Sequence, residues 1–216
     1  MARAIDDRAR FGVCGAGATF GRAARAAAVA ACALAGAAAV GSANAPAWRI
    51  TQGDVRIAVP LRPGGAFEAK TSSLAGTLAL ASSQPAVLTG ELKVELATID
   101  TGIDLRNRHL RENYLEVSKG PGFDTAVLSE IRLLEANGEG FEGRSNFAGS
   151  LRLHGMSRTV AGSAEIRREA AGVRVVATFP LALTDFGIEP PQYMGVGVAN
   201  KLIVKVAFTA PRDSSR

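Results

Sequence analysis

Phe147-Ala-Gly-Ser-Leu-Arg-Leu-His154 places Phe147, Gly149, Leu151 and Leu153 on one parity and Ser150, Arg152 and His154 on the other. A period of two is that of an extended strand with one dry face and one wet face. The same alternation recurs on both sides of this stretch. Toward the N-terminus it runs through Val55, Ile57 and Val59, then Leu74, Gly76, Leu78 and Leu80, then Leu92, Val94 and Leu96, then Val127, Ser129, Ile131 and Leu133. Toward the C-terminus it runs through Val173, Val175, Ala177, Phe179, Leu181 and Leu183, and last through Leu202, Val204, Val206 and Phe208. Turn-forming clusters separate the runs: Arg62-Pro-Gly-Gly65, Ser82-Ser-Gln-Pro85, Asn137-Gly-Glu-Gly140 and Ala170-Ala-Gly172. About eight strands of this kind make an all-β, antiparallel domain, either a closed barrel or a sandwich. One stretch departs from the pattern: residues 103–117 carry Leu105, His109, Leu110 and Tyr114 near helical spacing, which predicts a short helix ended by Gly120-Pro-Gly122.

The front of the chain reads differently. Arg3, Arg8, Arg10, Arg22 and Arg25 precede an apolar stretch from Ala26 to Gly41 and then Ser42-Ala-Asn-Ala45. A basic region, a short apolar region and a small-residue end describe a secretory signal peptide over residues 1–45, cleaved near Ala43 or Ala45. The stretch falls short of the ~18 to 20 apolar residues of a spanning helix, which disfavours an uncleaved anchor. Val29-Ala-Ala-Cys32 resembles a lipidation site, but the apolar run continues past Cys32, so ordinary cleavage is expected. Cleavage removes both cysteines, Cys14 and Cys32, and lowers the net charge from +5 to +2. The exported chain then has no disulfide or thiol chemistry and lacks the clustered positive charge that nucleic acid requires. The expected organisation is a signal peptide at 1–45, one domain at 46–210, a disordered tail at 211–216, and a periplasmic or secreted destination.

The residues that carry chemistry are few. His109 and His154 are the two histidines, and no H-x-H, H-E-x-x-H or C-x-x-C spacing surrounds them. Neither a metal site nor a Ser-His-Asp nucleophile is expected, and no cofactor is implied. Arg106, Arg108 and Arg111 with His109 make a basic cluster, either a solvated helix face or a pocket for an anionic head group. His154 reads equally as a strand-end residue held by a local hydrogen bond and as a ligand contact. The inward faces contain Gly76, Ser129, Gly149 and Ala177 among larger residues, which leans toward a cavity over a filled interior.

Four motifs then narrow the fold. Trp48-Arg-Ile50, Thr101-Gly-Ile-Asp-Leu-Arg-Asn-Arg-His-Leu-Arg111, Gly149-Ser-Leu-Arg-Leu-His-Gly-Met-Ser-Arg158 and Asp185-Phe-Gly-Ile188 follow one another at the spacing of the YceI-like family, which the chain resembles. The resemblance implies an eight-stranded, lipocalin-like barrel of the bacterial envelope, without catalytic activity, whose lumen holds a long-chain isoprenoid or similar lipid. Carried over by position, Arg106, His109, His154 and Arg158 become the polar ligand-binding candidates. Alternation adds Phe147, Leu151, Leu153, Phe179, Leu181 and Leu183 as lumen candidates. Asn107 departs from the family's usual Asp, and Gly53-Asp54 from its usual His-Ser pair. An envelope interaction protein with a packed interior is the alternative. Transient membrane contact and a homodimer paired through an exposed strand edge are both left open.

Overall fold

The structure, a computed structural model, describes residues 47–83, 86–136, 141–193 and 195–211. The expected signal peptide, both cysteines and the Asn137–Gly140 turn therefore lie outside the described residues. Eight long strands form the wall: β2 (Gly53–Arg62), β4 (Ala75–Ser83), β5 (Ala86–Glu95), β6 (Thr125–Leu133), β7 (Gly143–Leu153), β8 (Met156–Glu169), β9 (Gly172–Ala182) and β12 (Lys201–Pro211). Four short strands, β1 (Ala47–Ile50), β3 (Ala66–Thr71), β10 (Gln192–Tyr193) and β11 (Val196–Val198), bring the described sheet to twelve. All named pairings are antiparallel, and the long strands follow the order β4-β5-β6-β7-β8-β9-β12-β2.

Closure comes from the first strand. β1 pairs β4 at one end of this order, while β2 pairs β12 at the other, and only Thr51 and Gln52 separate β1 from β2. β1 also lies against β12, so one bent segment joins the two ends of the sheet into a barrel. β12 continues through Pro211, which pairs Gly172, and residues 212–216 of the expected tail lie outside the described residues.

Two features of the wall were not legible as alternation. β8 reads Val160, Gly162, Ala164, Ile166 on its inward parity, a set too small in volume to register as a strand from apolar bulk. In β6 a bulge at Glu130 (φ 53°) adds one residue against β7, while on its other side Thr89 and Gly90 of β5 together stand opposite Glu130. An extra residue flips parity, so Leu128, Ile131 and Leu133 point into the barrel. Val127 is buried outside the main core. The expected single face of Val127, Ser129, Ile131 and Leu133 is thus split. Gly149 opposite takes up the bulge, since a Cβ there would lie 3.1 Å from Leu128 and 3.2 Å from the Ser129 carbonyl.

Gly162 has the opposite duty. It pairs Phe147 across the β7–β8 ladder, and a Cβ at 162 would fall 2.2 Å from the Thr178 carbonyl and 2.6 Å from Phe179 Cβ. The two rings beside it, Phe147 and Phe179, meet edge to face with centroids 6.0 Å apart. Gly162→Ala is expected to push β8 from β9 and cost about 1–3 kcal/mol, the usual range for overpacking. Urea unfolding checks this, and a loss under 0.5 kcal/mol would contradict it.

The expected helix is shorter than the 103–117 span. α1 covers Asp104–His109, and the chain continues through a π turn at Leu110–Tyr114 and a 3₁₀ turn at Val117–Lys119, ending at Gly120 with φ 79°. Ile103 and Leu105 stay largely exposed, while Leu115 is buried in the core. This excursion links the end of β5 to the start of β6 and so sits at one end of the barrel.

Candidate functional site

The upper and lower halves of the barrel differ. Below the Phe147–Phe179 pair, Leu151, Leu153, Leu181, Leu183 and Phe186 are all buried in one core. Above the pair the interior is not filled. A cavity of about 340 Å³ is lined there by twenty-two residues, twenty-one of them apolar. Its walls come from Leu78 and Leu80 of β4, Leu88 and Leu92 of β5, Leu128, Ile131 and Leu133 of β6, Val173, Val175 and Ala177 of β9, and Val206, Phe208 and Ala210 of β12, with Trp48 beside them. Ala164 and Ala177 face each other across the β8–β9 ladder on this side. Two methyl groups stand where larger side chains would meet, which keeps the space open. The cavity reaches toward the end of the barrel where Ala86, Ala136, Arg168 and Val173 flank the inter-strand turns.

The structure separates the sequence-derived candidates. Phe147 and Phe179 line the cavity; Leu151, Leu153, Leu181 and Leu183 are core residues outside its lining. Of the four small residues expected to leave room, only Ala177 lines it. Arg106, His109, His154 and Arg158 lie outside it altogether. Arg106 stacks over the Phe67 ring at 4.1 Å, Arg111 reaches the Ile99 carbonyl at 3.4 Å, and Arg108 and His109 are exposed. Positions 106, 108, 109 and 111 radiate around their helical segment, so the basic cluster of the sequence is not a pocket in space. Arg158 shares the parity of Val160 and Ala164 but lies two residues from the start of β8, at the end of the barrel away from the cavity, where it is exposed and donates to the carbonyl of Ser157.

His154 holds loops together at the far end. It occupies the left-handed region (φ 51°) with Gly155 (φ 72°), a two-residue hairpin turn between Leu153 and Met156. Its Nδ1 lies 3.0 Å from the Phe186 carbonyl, which can only accept, and its Nε2 lies 3.0 Å from Glu116 Oε2. Phe123 packs edge-on against the ring at 4.8 Å. Among the described residues no three His, Cys, Asp or Glu side chains gather as a metal cluster.

The Thr101 segment is a clasp. Asn107 is buried; its Oδ1 accepts from the Thr101 backbone N–H at 2.8 Å and from Thr101 Oγ1 at 2.7 Å. Its Nδ2 donates to Asp100 Oδ1 at 2.9 Å, and the same oxygen accepts from the Gly102 N–H. Asp100 in turn pairs Lys70 of β3 through the backbone. Three side chains thereby tie α1 to the barrel wall. The hydrogen bond from Asn107, then that from Gly102, holds the Asp100 carboxyl below its ordinary 3.8. Asn107→Asp would set a second carboxylate against Asp100, and like charges at that range disfavour joint ionisation. The variant is expected to be less stable than the parent at pH 7 and to recover part of the deficit near pH 4. An equal deficit at both pH values in thermal melts would contradict this.

Other carboxyls share the direction. Glu116 is lowered chiefly by Lys119 and then by His154, Glu135 chiefly by Asn146, and Glu165 chiefly by Arg167. Each binds its proton less readily folded than unfolded, so its contribution is complete above the unfolded value of 4.5 and drains away as the pH falls through the lower folded value. Melting temperature should therefore fall mainly below about pH 4.5. A fall confined to pH 5–7 would assign the acid sensitivity elsewhere.

A model of the YceI-like domain matches residues 48–210 of the chain. The chain belongs to the YceI-like family. Among solved structures, this YceI-like chain is similar to the Burkholderia cenocepacia protein BcnA, with TM-score 0.60 and 15% identity over 73% of this chain and 96% of that one. It is also similar to a polyisoprenoid binding domain from Saccharophagus degradans implicated in plant cell wall breakdown, with TM-score 0.54 and 14% identity over 78% of this chain and all of that one. At such identities the likeness is one of fold. No curated protein matches the chain.

Proposed function

We propose that this YceI-like protein is a non-catalytic lipid carrier, exported to the periplasm or beyond, that shelters the tail of an isoprenoid or similar long-chain amphiphile in its upper cavity. The single observation that carries this reading is the 340 Å³ space with twenty-one apolar lining residues. Small-molecule sites span roughly 300–1,000 Å³, and apolar lining with few polar groups is their usual character. At about 30 Å³ per methylene-sized group, taken from the share of a water in liquid, the space accepts on the order of ten such groups. Each contributes about 0.8 kcal/mol on transfer from water, before the cost of association is subtracted. A longer chain would then project through the open end toward solvent or a membrane.

Export rests on the basic, apolar and small-residue pattern of residues 1–45. A binding role rests on the lining, which offers one ionisable side chain and no paired nucleophile and base. The Saccharophagus domain, described as binding polyisoprenoid, supports the ligand class by analogy of fold. The test is titration of delipidated protein with a fluorescent prenyl-chain probe. Saturation at one probe per chain is the expected result; a linear, unsaturable response would refute the carrier reading.

A further inference from the structure

Arg168 is the one charged residue among the twenty-two that line the cavity. Its place follows from strand parity. Along β8, Ala164, Ile166 and Arg168 share the inward face, while Glu165 and Arg167 point outward and pair with each other. Arg168 stands opposite Val173, another lining residue, at the last rungs before the β8–β9 turn. It is exposed, whereas Ala164 and Ile166 deeper on the same strand are buried. An arginine in this position lays its aliphatic stem along the apolar wall and carries its guanidinium to the rim. The Glu142 carboxylate at this end accepts from the backbone N–H of Arg168.

We propose that Arg168 is the head-group site of the cavity, and that the ligand is an anionic single-chain amphiphile, a carboxylate or a phosphate monoester, bound tail inward. The inference rests on the carrier reading given above and sharpens it: it fixes the sign of the head group and the end of the barrel that receives it. Phe147 and Phe179 bound the cavity from below, and the remaining lining residues offer the tail only apolar contact. A guanidinium offers planar paired donors matched to carboxylate and phosphate oxygens. Arg106, His109, His154 and Arg158, the polar ligand-binding candidates of the sequence, lie outside this space.

Displacement of a neutral apolar dye by dodecanoate, dodecyl phosphate and dodecanol tests the proposal, on the parent protein and on Arg168→Gln and Arg168→Lys. Hydrogen bonds to a charged group are worth about 1.5–3 kcal/mol, roughly ten- to a hundredfold in affinity. The parent should therefore bind at least one of the two anions about tenfold or more tighter than dodecanol. Arg168→Gln should remove that preference while leaving dodecanol within about twofold, and Arg168→Lys should keep part of it. Which anion is preferred separates a carboxylate head from a phosphate one. Equal affinity for all three ligands in the parent, or an equal loss of all three in Arg168→Gln, overturns the head-group assignment and leaves the carrier reading standing. Binding of none overturns both.

Discussion

Ala177→Phe should weaken binding of a prenyl or alkyl probe by about a hundredfold or more, equivalent to ~2.7 kcal/mol, without unfolding the protein. Ala177 faces Ala164 across the β8–β9 ladder, and both line the cavity between the strand walls. A phenyl group at 177 enters space that is already empty, so it meets little of the resistance of a packed core. Filling a cavity commonly adds ~0.5–2 kcal/mol of stability, whereas overpacking a filled interior costs ~1–3 kcal/mol. The expected signature is therefore a pair of opposite changes, weaker binding with an equal or higher melting temperature. Ala164→Phe should behave alike. Lower stability with unaltered binding would mean that the space is not the ligand site.

Phe186→Ala should cost about 3–5 kcal/mol of unfolding free energy, the range for deleting a fully buried phenylalanine. Phe186 is 1% exposed and packs in the lower core, where its carbonyl also accepts the bond from His154. With a typical domain stable by ~5–15 kcal/mol, this is the largest single-site loss expected here. Guanidinium unfolding measures it. Because the ring sits in the packed lower half and not in the cavity lining, probe affinity in the folded variant should change little. A loss below 1 kcal/mol would show that this half is not packed as described.

These two expectations mark where the sequence was informative. Alternation in Phe147–Leu153 and Val173–Leu183 yielded the all-β barrel and its inward faces, because a period of two survives wherever large apolar side chains report it. It failed in β8, whose inward positions are Gly162, Ala164 and Arg168 among larger residues, and across Glu130, where one inserted residue exchanges the faces of β6. Both failures touch the site. The alanines that keep the cavity open are the residues that silence the strand signal, and the charge at its rim looked like one more surface arginine. Noticing that Arg168 continues the parity of Val160, Ala164 and Ile166 would have found it. The family motifs marked other work: Thr101 and Asn107 clasp α1, His154 pins the far end, and Phe186 with Ile188 fills the lower core. Motif residues here secure the closed end, while the cavity is built from positions that carry no motif apart from Trp48.

On the carrier reading the upper cavity takes one amphiphile tail. Native mass spectrometry of the protein, purified without detergent and then offered dodecanoate or a prenyl alcohol after organic extraction, tests it most directly. The expected result is a single adduct per chain that saturates at one equivalent and disappears in Ala177→Phe. A bare chain mass under every condition, or an adduct that persists in Ala177→Phe, would contradict it.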